Sequence, residues 1–272
     1  MRILAINDIS CVGKCSLAAT LPIISACGIE CNMLPTAILS THTGGFEGYT
    51  FHDLTAEIPA ILNHWKNLGL QFDYIYSGYL GSIKQIDMVL ELKNTFLKEN
   101  GRLIVDPVMG DNGKLYAGFT DAYVKKMLSL CAAADYILPN ETEACYLTDT
   151  PYPLTNQTAP LALQKLTVLC KNPIITGVAD GEQISVYYTR EEGDLAIHTN
   201  ENVEGFFCGA GDVFASAFVG CLAKGKTQSE AITLASNFAA ASIRRSSIEV
   251  PDRKYGLNFE AEIFSFLKNL NG

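Results

Sequence analysis

The chain predicts an α/β fold with a mostly parallel central sheet and an antiparallel edge. Short aliphatic and β-branched runs alternate with apolar segments at helical spacing along most of its 272 residues. Several of those runs end in polar or acidic residues, at Asn7-Asp8, Asp106-Pro107, Pro139-Asn140 and Thr176-Gly177. One late segment instead alternates with period two on both sides of Glu192-Gly193-Asp194, a hairpin signature.

Arg2–Ile6 reads as a buried strand and Ser16–Cys27 as a helix ended by Gly28. A second strand, Cys31–Leu39, runs into the polar loop Ser40-Thr41-His42-Thr43-Gly44-Gly45. Thr55–Leu68 has helical spacing, Phe72–Ser77 is a strand, and Ile83–Lys98 is a longer helix. Arg102–Val105 leads into Asp106, Asp135–Leu138 into Pro139-Asn140, and Pro173–Thr176 ends at Gly177. Strands joined by helices make βαβ units, and such sheets bind ligands beyond the carboxyl ends of their strands. Asn7-Asp8, the His42 loop, Asp106, Asn140 and Thr176 all fall at those ends. Gln183–Tyr188 and Leu195–Thr199 form the antiparallel edge. No repeat, low-complexity tract or Pro/Ser linker intervenes, so residues 1–272 are expected to form one domain.

Composition narrows the function classes. Twenty Lys and Arg against 29 Asp and Glu give a net charge of −9, with no basic run longer than a pair. Nucleic acid and anionic membranes are therefore not expected partners. The apolar start is too short for a signal-peptide core, and no apolar run approaches the ~18 residues of a membrane span. Nine cysteines, an odd number scattered through apparent core segments, suit free thiols in a reducing cytoplasm. Cys11/Cys15 and Cys27/Cys31 are too widely spaced and too far from histidine to suggest zinc.

The most informative stretch is Gly209-Ala210-Gly211-Asp212, directly ahead of the apolar helical run Val213–Val219. Two glycines and a helix start present bare N–H groups and a partial positive charge, a cradle for an anion such as phosphate. A carboxylate set against that cradle suits a base that takes a proton from an attacking hydroxyl, although a plain helix cap would use the same residue types. Asp106-Pro107-Val108-Met109-Gly110-Asp111-Asn112-Gly113-Lys114-Leu115-Tyr116 begins with an acid at a strand end and continues as a flap. Asp106 can hold Mg²⁺ there, or simply turn the chain. Asn140 and Glu143 have capping-box spacing, which structure alone explains; a water-mediated metal contact from Glu143 is the functional addition. His42 and Thr43 can grip a polar ring, though a loop histidine is commonly just solvated. Gly13-Lys14-Cys15-Ser16 lacks the first glycine of a P-loop, because Asp8 stands in its place.

Asp106 to Asp111, Leu138 to Ala144 and Gly209 to Asp212 occur in the order seen in the ribokinase-like superfamily, which the chain resembles from residue 1 to about residue 245. Ser40-Thr41-His42-Thr43-Gly44 and Ser77-Gly78-Tyr79 resemble, more specifically, the pyridoxal/pyridoxamine (vitamin B6) kinases. The resemblance implies a ribokinase-like three-layer α/β/α fold, ATP and a B6 vitamer as substrates, Mg²⁺, room for a monovalent cation such as K⁺, and a homodimer. It makes Asp212 the base, Gly209, Ala210 and Gly211 the anion hole, and Asp106 and Glu143 the holders of Mg²⁺, mostly through water. Asn140 and Thr176 would lie along the ATP phosphates, with Asp111 to Tyr116 as a lid. His42, Thr43 and Tyr79 would line the ring pocket with Asp8 and Ser10. The adenine would lie among Thr176–Gly181, Asn200–Phe206 and the helix near Asn237. Asp8 stands where pyridoxal kinases commonly carry Ser, which is closer to hydroxymethylpyrimidine kinases and keeps that substrate as the alternative. Ala210 replaces a common Thr. A nucleotide-binding module without catalysis is the reading from a different class, and it would have no need of Asp212.

Overall fold

The computed structural model describes residues 1–190, 192–249 and 252–272. Its strands are β1 (Arg2–Ser10), β2 (Glu30–Leu39), β3 (Phe51–Asp53), β4 (Phe72–Ser77), β5 (Leu97–Val105), β6 (Gly110–Asp111), β7 (Lys114–Leu115), β8 (Tyr136–Ile137), β9 (Asn172–Asp180), β10 (Gln183–Thr189) and β11 (Leu195–Glu201). The helices are α1 (Ser16–Ala26), α2 (Ile58–Asn67), α3 (Ile83–Phe96), α4 (Asp121–Ala133), α5 (Glu141–Thr148), α6 (Thr158–Leu169), α7 (Ala210–Ala223), α8 (Gln228–Glu249) and α9 (Ile263–Asn271).

Nine strands form one sheet in the order β11-β10-β9-β8-β5-β4-β1-β2-β3, while β6 and β7 pair as a separate small hairpin. Its central pairs are parallel, and β9-β10-β11 are antiparallel as expected. The opposite edge is antiparallel too: β3, which carries no strong sequence signal, folds back on β2. Alternation along β1 explains the layers. Ile3 and Ala5 face one core with α1, α7, α8 and α9, whereas Leu4 and Ile6 face the other with α2 to α6. The result is a three-layer α/β/α fold.

Several boundaries differ from expectation because ladder pairing continues past the apolar run. β1 runs to Ser10 rather than Ile6, through a register shift between Asn7 and Ile9 against β2. β9 passes Thr176-Gly177 to Asp180 because β10 keeps pairing with it. α2 starts at Ile58 rather than Thr55, after a turn in which Thr55 N–H donates to the Asp53 carboxylate at 2.6 Å. α3 ends at Phe96, where β5 begins five residues before Arg102.

Candidate active site

Asp212 lies in the first turn of α7, whose N-cap Gly209 has φ +80°. That left-handed turn brings residue 209 against the loop before α1, so a Cβ on Gly209 would press into the Lys14 carbonyl oxygen. At Gly211, by contrast, a Cβ would meet nothing within 4 Å, which leaves space over the first-turn N–H groups, of which Ala210 makes only a long bond, to Phe207 O at 3.4 Å. The Asp212 carboxylate accepts from Asn7 Nδ2 at 3.3 Å and from the Ser16 backbone N–H. Burial pushes its pKa up to about 7, with the nearby Asp8 charge adding to the rise, and the Ser16 and Asn7 donors pulling back. A carboxylate at that value is matched to taking a proton near neutral pH.

Asn7 is the hub of the cluster. Its Oδ1 accepts from the N–H of Asp8 at 3.0 Å and of Tyr79 at 2.8 Å, so β1, β4 and α7 are pinned through one side chain. Asp8 is 6% exposed and accepts from Ser10 Oγ at 3.2 Å and from the Ser16 hydroxyl. Burial raises its pKa, and those two hydroxyls only partly offset the rise. Tyr79 lies near this acid, two residues beyond β4: burial, then the Asp8 charge, push its phenol up to about 12.

A second acidic group sits at the ends of β5 and β8. Glu143 is buried, with Oε1 accepting from Met109 N–H at 3.0 Å and Oε2 from Asn140 N–H at 2.8 Å. Asn140 Oδ1 accepts from Glu143 N–H at 2.9 Å, which completes the capping box expected at α5. Asn140 Nδ2 also donates to Gly110 O at 2.9 Å, so the β6–β7 hairpin hangs from the α5 terminus. Asp106, 8% exposed, has no hydrogen-bond donor on its carboxylate among the described residues. Burial and the Glu143 and Asp212 charges push it well above the usual carboxylate range. Glu143 has backbone donors for its charged form and Asp106 has none, so burial bears more heavily on Asp106. Two raised carboxylates with hard oxygens suit a cation such as Mg²⁺, which Asp106 and Glu143 would hold mostly through water. Among the described residues no three ligands are already gathered for a metal.

The remaining expected residues are distributed around this core. Thr176 is half-buried, bridged to Asn140 by its backbone, with Thr176 N–H donating to Pro139 O at 2.9 Å. In the hairpin, the Asp111 carboxylate caps Asn112 N–H at 2.8 Å, and Tyr116, 42% exposed, has its phenol raised by burial and then by Glu143. Thr43 is exposed. His42 is not solvated as a loop histidine commonly is: Nε2 donates to Lys254 O at 2.5 Å, Nδ1 accepts from Gly44 N–H at 3.1 Å, and Cys208 Sγ lies 3.4 Å from Nδ1. Both ring nitrogens are thus occupied, and His42 ties its loop to residues 208 and 254. Of the three segments expected around the adenine, two are joined, with Asn237 Oδ1 accepting from Asn200 Nδ2 at 2.9 Å. Asn7 and Ser16 are the site residues without an assigned role in the sequence. Asn7 had a signal, a polar residue closing an apolar run; Ser16 had only its place after an incomplete P-loop.

If Asp212 is the base, kcat/KM for the hydroxyl substrate should rise with pH on the acid side and level off above about 7. The carboxylate must be ionised to accept a proton, and a bound cation would move the limb lower, not higher. A rate that stays flat down to pH 5 would refute this assignment.

The phosphomethylpyrimidine kinase family model matches residues 16–257. The chain belongs to this family. A provisionally named phosphomethylpyrimidine kinase from Bacteroides thetaiotaomicron, crystallised with pyridoxal, is 36% identical, with a TM-score of 0.91 over 100% of this chain and 96% of that one. Pyridoxal kinase from Lactobacillus plantarum is 31% identical, with a TM-score of 0.91 over 98% of this chain and 96% of that one. A provisionally named pyridoxal kinase from Caenorhabditis elegans is 25% identical over 218 residues, 71% of this chain and 65% of that protein. The chain thus spans just under two thirds of that curated relative's length. No helix among the described residues of this family member is long and apolar enough to cross a membrane.

Proposed function

We propose that the protein is an ATP-dependent kinase that phosphorylates the 5′-hydroxymethyl group of pyridoxal, pyridoxamine or pyridoxine. The observation that carries this reading is Asp212, raised to about 7 and held at the bare N–H groups of α7. The Lactobacillus enzyme and the pyridoxal-bound Bacteroides structure support the vitamer as acceptor. Asp212 takes the hydroxymethyl proton, while the N–H groups of Gly209, Ala210 and Gly211 receive charge developing on the transferred phosphoryl. Mg²⁺, when bound, would neutralise phosphate charge, with Asp106 and Glu143 the residues that would hold it, mostly through water. Asn140 and Thr176 flank the phosphates, and the Asp111–Tyr116 hairpin covers them and excludes water. Asp8, Ser10 and Tyr79 face the ring, with His42 and Thr43 shaping the loop beside it. Residues 1–272 act as one domain in this reading, since the sheet takes strands from residue 2 to residue 201 and helices through 271 pack on it. A K⁺ ion, a homodimer and a cytoplasmic location complete the reading, from family likeness alone.

The family's own description keeps hydroxymethylpyrimidine as a second acceptor, and Asp8, whose nearest positive charge is His42, is where the two differ. ATP consumption should be compared with pyridoxal, pyridoxamine, pyridoxine and hydroxymethylpyrimidine. A higher kcat/KM for at least one vitamer than for the pyrimidine is expected. A clear preference for the pyrimidine would overturn the vitamer reading, and no turnover with any of the four would overturn the kinase reading.

A further inference from the structure

Tyr76 lies in the middle of the sheet, in β4, and is 0% exposed. Its hydroxyl has no hydrogen-bond partner among the described residues, an expensive arrangement for a buried polar group. In register it sits beside Ala5 of β1 and Ile104 of β5, and all three pack into the core under α1 and α7. Side chains two residues apart share a face, so the next positions along that face are Asn7 on β1 and Asp106 after β5. The ladder continues to Asp106, whose N–H donates to Ser77 O at 2.8 Å, which preserves the alternation. Tyr76 therefore shares a face with an acid that lacks a donor, one position along the neighbouring strand. Its O–H is a donor without an acceptor.

We propose that Tyr76 is a positioning residue for phosphoryl transfer: its O–H donates to the Asp106 carboxylate and aims it at the nucleotide-bound cation. A donor without an acceptor and an acceptor without a donor stand one step apart on one face of adjacent strands. The proposal requires that this gap close, directly or through one bridging water, when the cation is bound. The inference rests on the kinase reading above, in which Asp106 holds Mg²⁺.

Tyr76→Phe removes one oxygen and keeps the packing. Mn²⁺ binding in the presence of a non-hydrolysable ATP analogue, followed by the electron paramagnetic resonance of free Mn²⁺, should weaken about tenfold. In turnover, kcat at fixed Mg²⁺ should fall by a similar factor, with KM for the vitamer unchanged. The free protein should melt at the same temperature or higher, since an unpaired buried hydroxyl has been removed. Adding Tyr76→Phe to an Asp106→Asn protein should change Mn²⁺ affinity no further. Wild-type Mn²⁺ affinity and kcat in the single variant would overturn the inference, as would a lower melting temperature with KM rising for every substrate, or full additivity with Asp106→Asn. Wild-type turnover in the same assay separates the two ideas: without it the kinase reading fails, and with it only the role of Tyr76 is at stake.

Discussion

Asp212→Asn should cut kcat by about 10²- to 10⁴-fold while leaving ATP affinity near that of the wild type. The substitution is isosteric, and its side-chain oxygen can still accept from Asn7 Nδ2 and the Ser16 N–H that hold Asp212. The Asn7 hub also keeps its bonds to Asp8 and Tyr79, so β1, β4 and α7 stay joined. What disappears is a group able to accept a proton near pH 7. A thousandfold loss corresponds to ~4 kcal/mol of transition-state stabilisation, a usual size for a positioned base. Steady-state kinetics with the preferred vitamer, beside calorimetric titration with ATP, decide the matter. Turnover within threefold of wild type would remove Asp212 from the chemistry and revive the non-catalytic nucleotide-binding module. Loss of ATP binding along with turnover would point to a distorted site rather than a missing base.

The parts of this site that sequence reveals are those whose logic is local. Gly209 to Asp212 announces itself because glycines, a helix start and an acid are contiguous, and the structure keeps them so in α7. Asn140 and Glu143 are three residues apart, and a capping box needs no more. Asp106 is legible as an acid ending a buried strand. Asn7 is a different case, because its meaning comes from Asp212, 205 residues away, and Tyr79, 72 residues away. No local pattern encodes that meeting; strand order does, by placing β1 beside β4 beneath α7. His42 shows the same limit from the other side. Its loop composition suggests exposure, yet Lys254, 212 residues later, takes one ring nitrogen and the loop's own Gly44 the other. Strand lengths also depend on partners: β3 has only three residues and exists because β2 offers it an edge.

Gly209→Ala should cost stability as well as turnover, because two separate penalties coincide at that position. An alanine must hold φ +80°, which costs roughly 1 kcal/mol or more. Its Cβ also presses into the Lys14 carbonyl oxygen and comes within 3.5 Å of the Cys15 Cα. Lys14 cannot simply retreat, since its N–H donates to Tyr255 O at 3.1 Å and its backbone bridges to Gly256. Relief must come from moving either the α7 terminus or residues 14–16. The first carries Asp212, and the second carries the Ser16 N–H that Asp212 accepts. Overpacking adds ~1–3 kcal/mol, so a total of about 2–4 kcal/mol is expected, a fall of roughly 4–7 °C in melting temperature for a chain of this size. The kcat should drop by at least about tenfold, as a displaced hole no longer meets the transferred phosphoryl. Gly211→Ala is the informative contrast. Its φ is not in the left-handed region and its Cβ meets open space, so thermal stability should hold within about 1 °C, while a methyl group in the anion hole lowers turnover. Differential scanning fluorimetry and steady-state kinetics on both variants separate the two glycines. A Gly209→Ala protein with wild-type melting and turnover would mean that the contact with Lys14 does not set the position of Asp212.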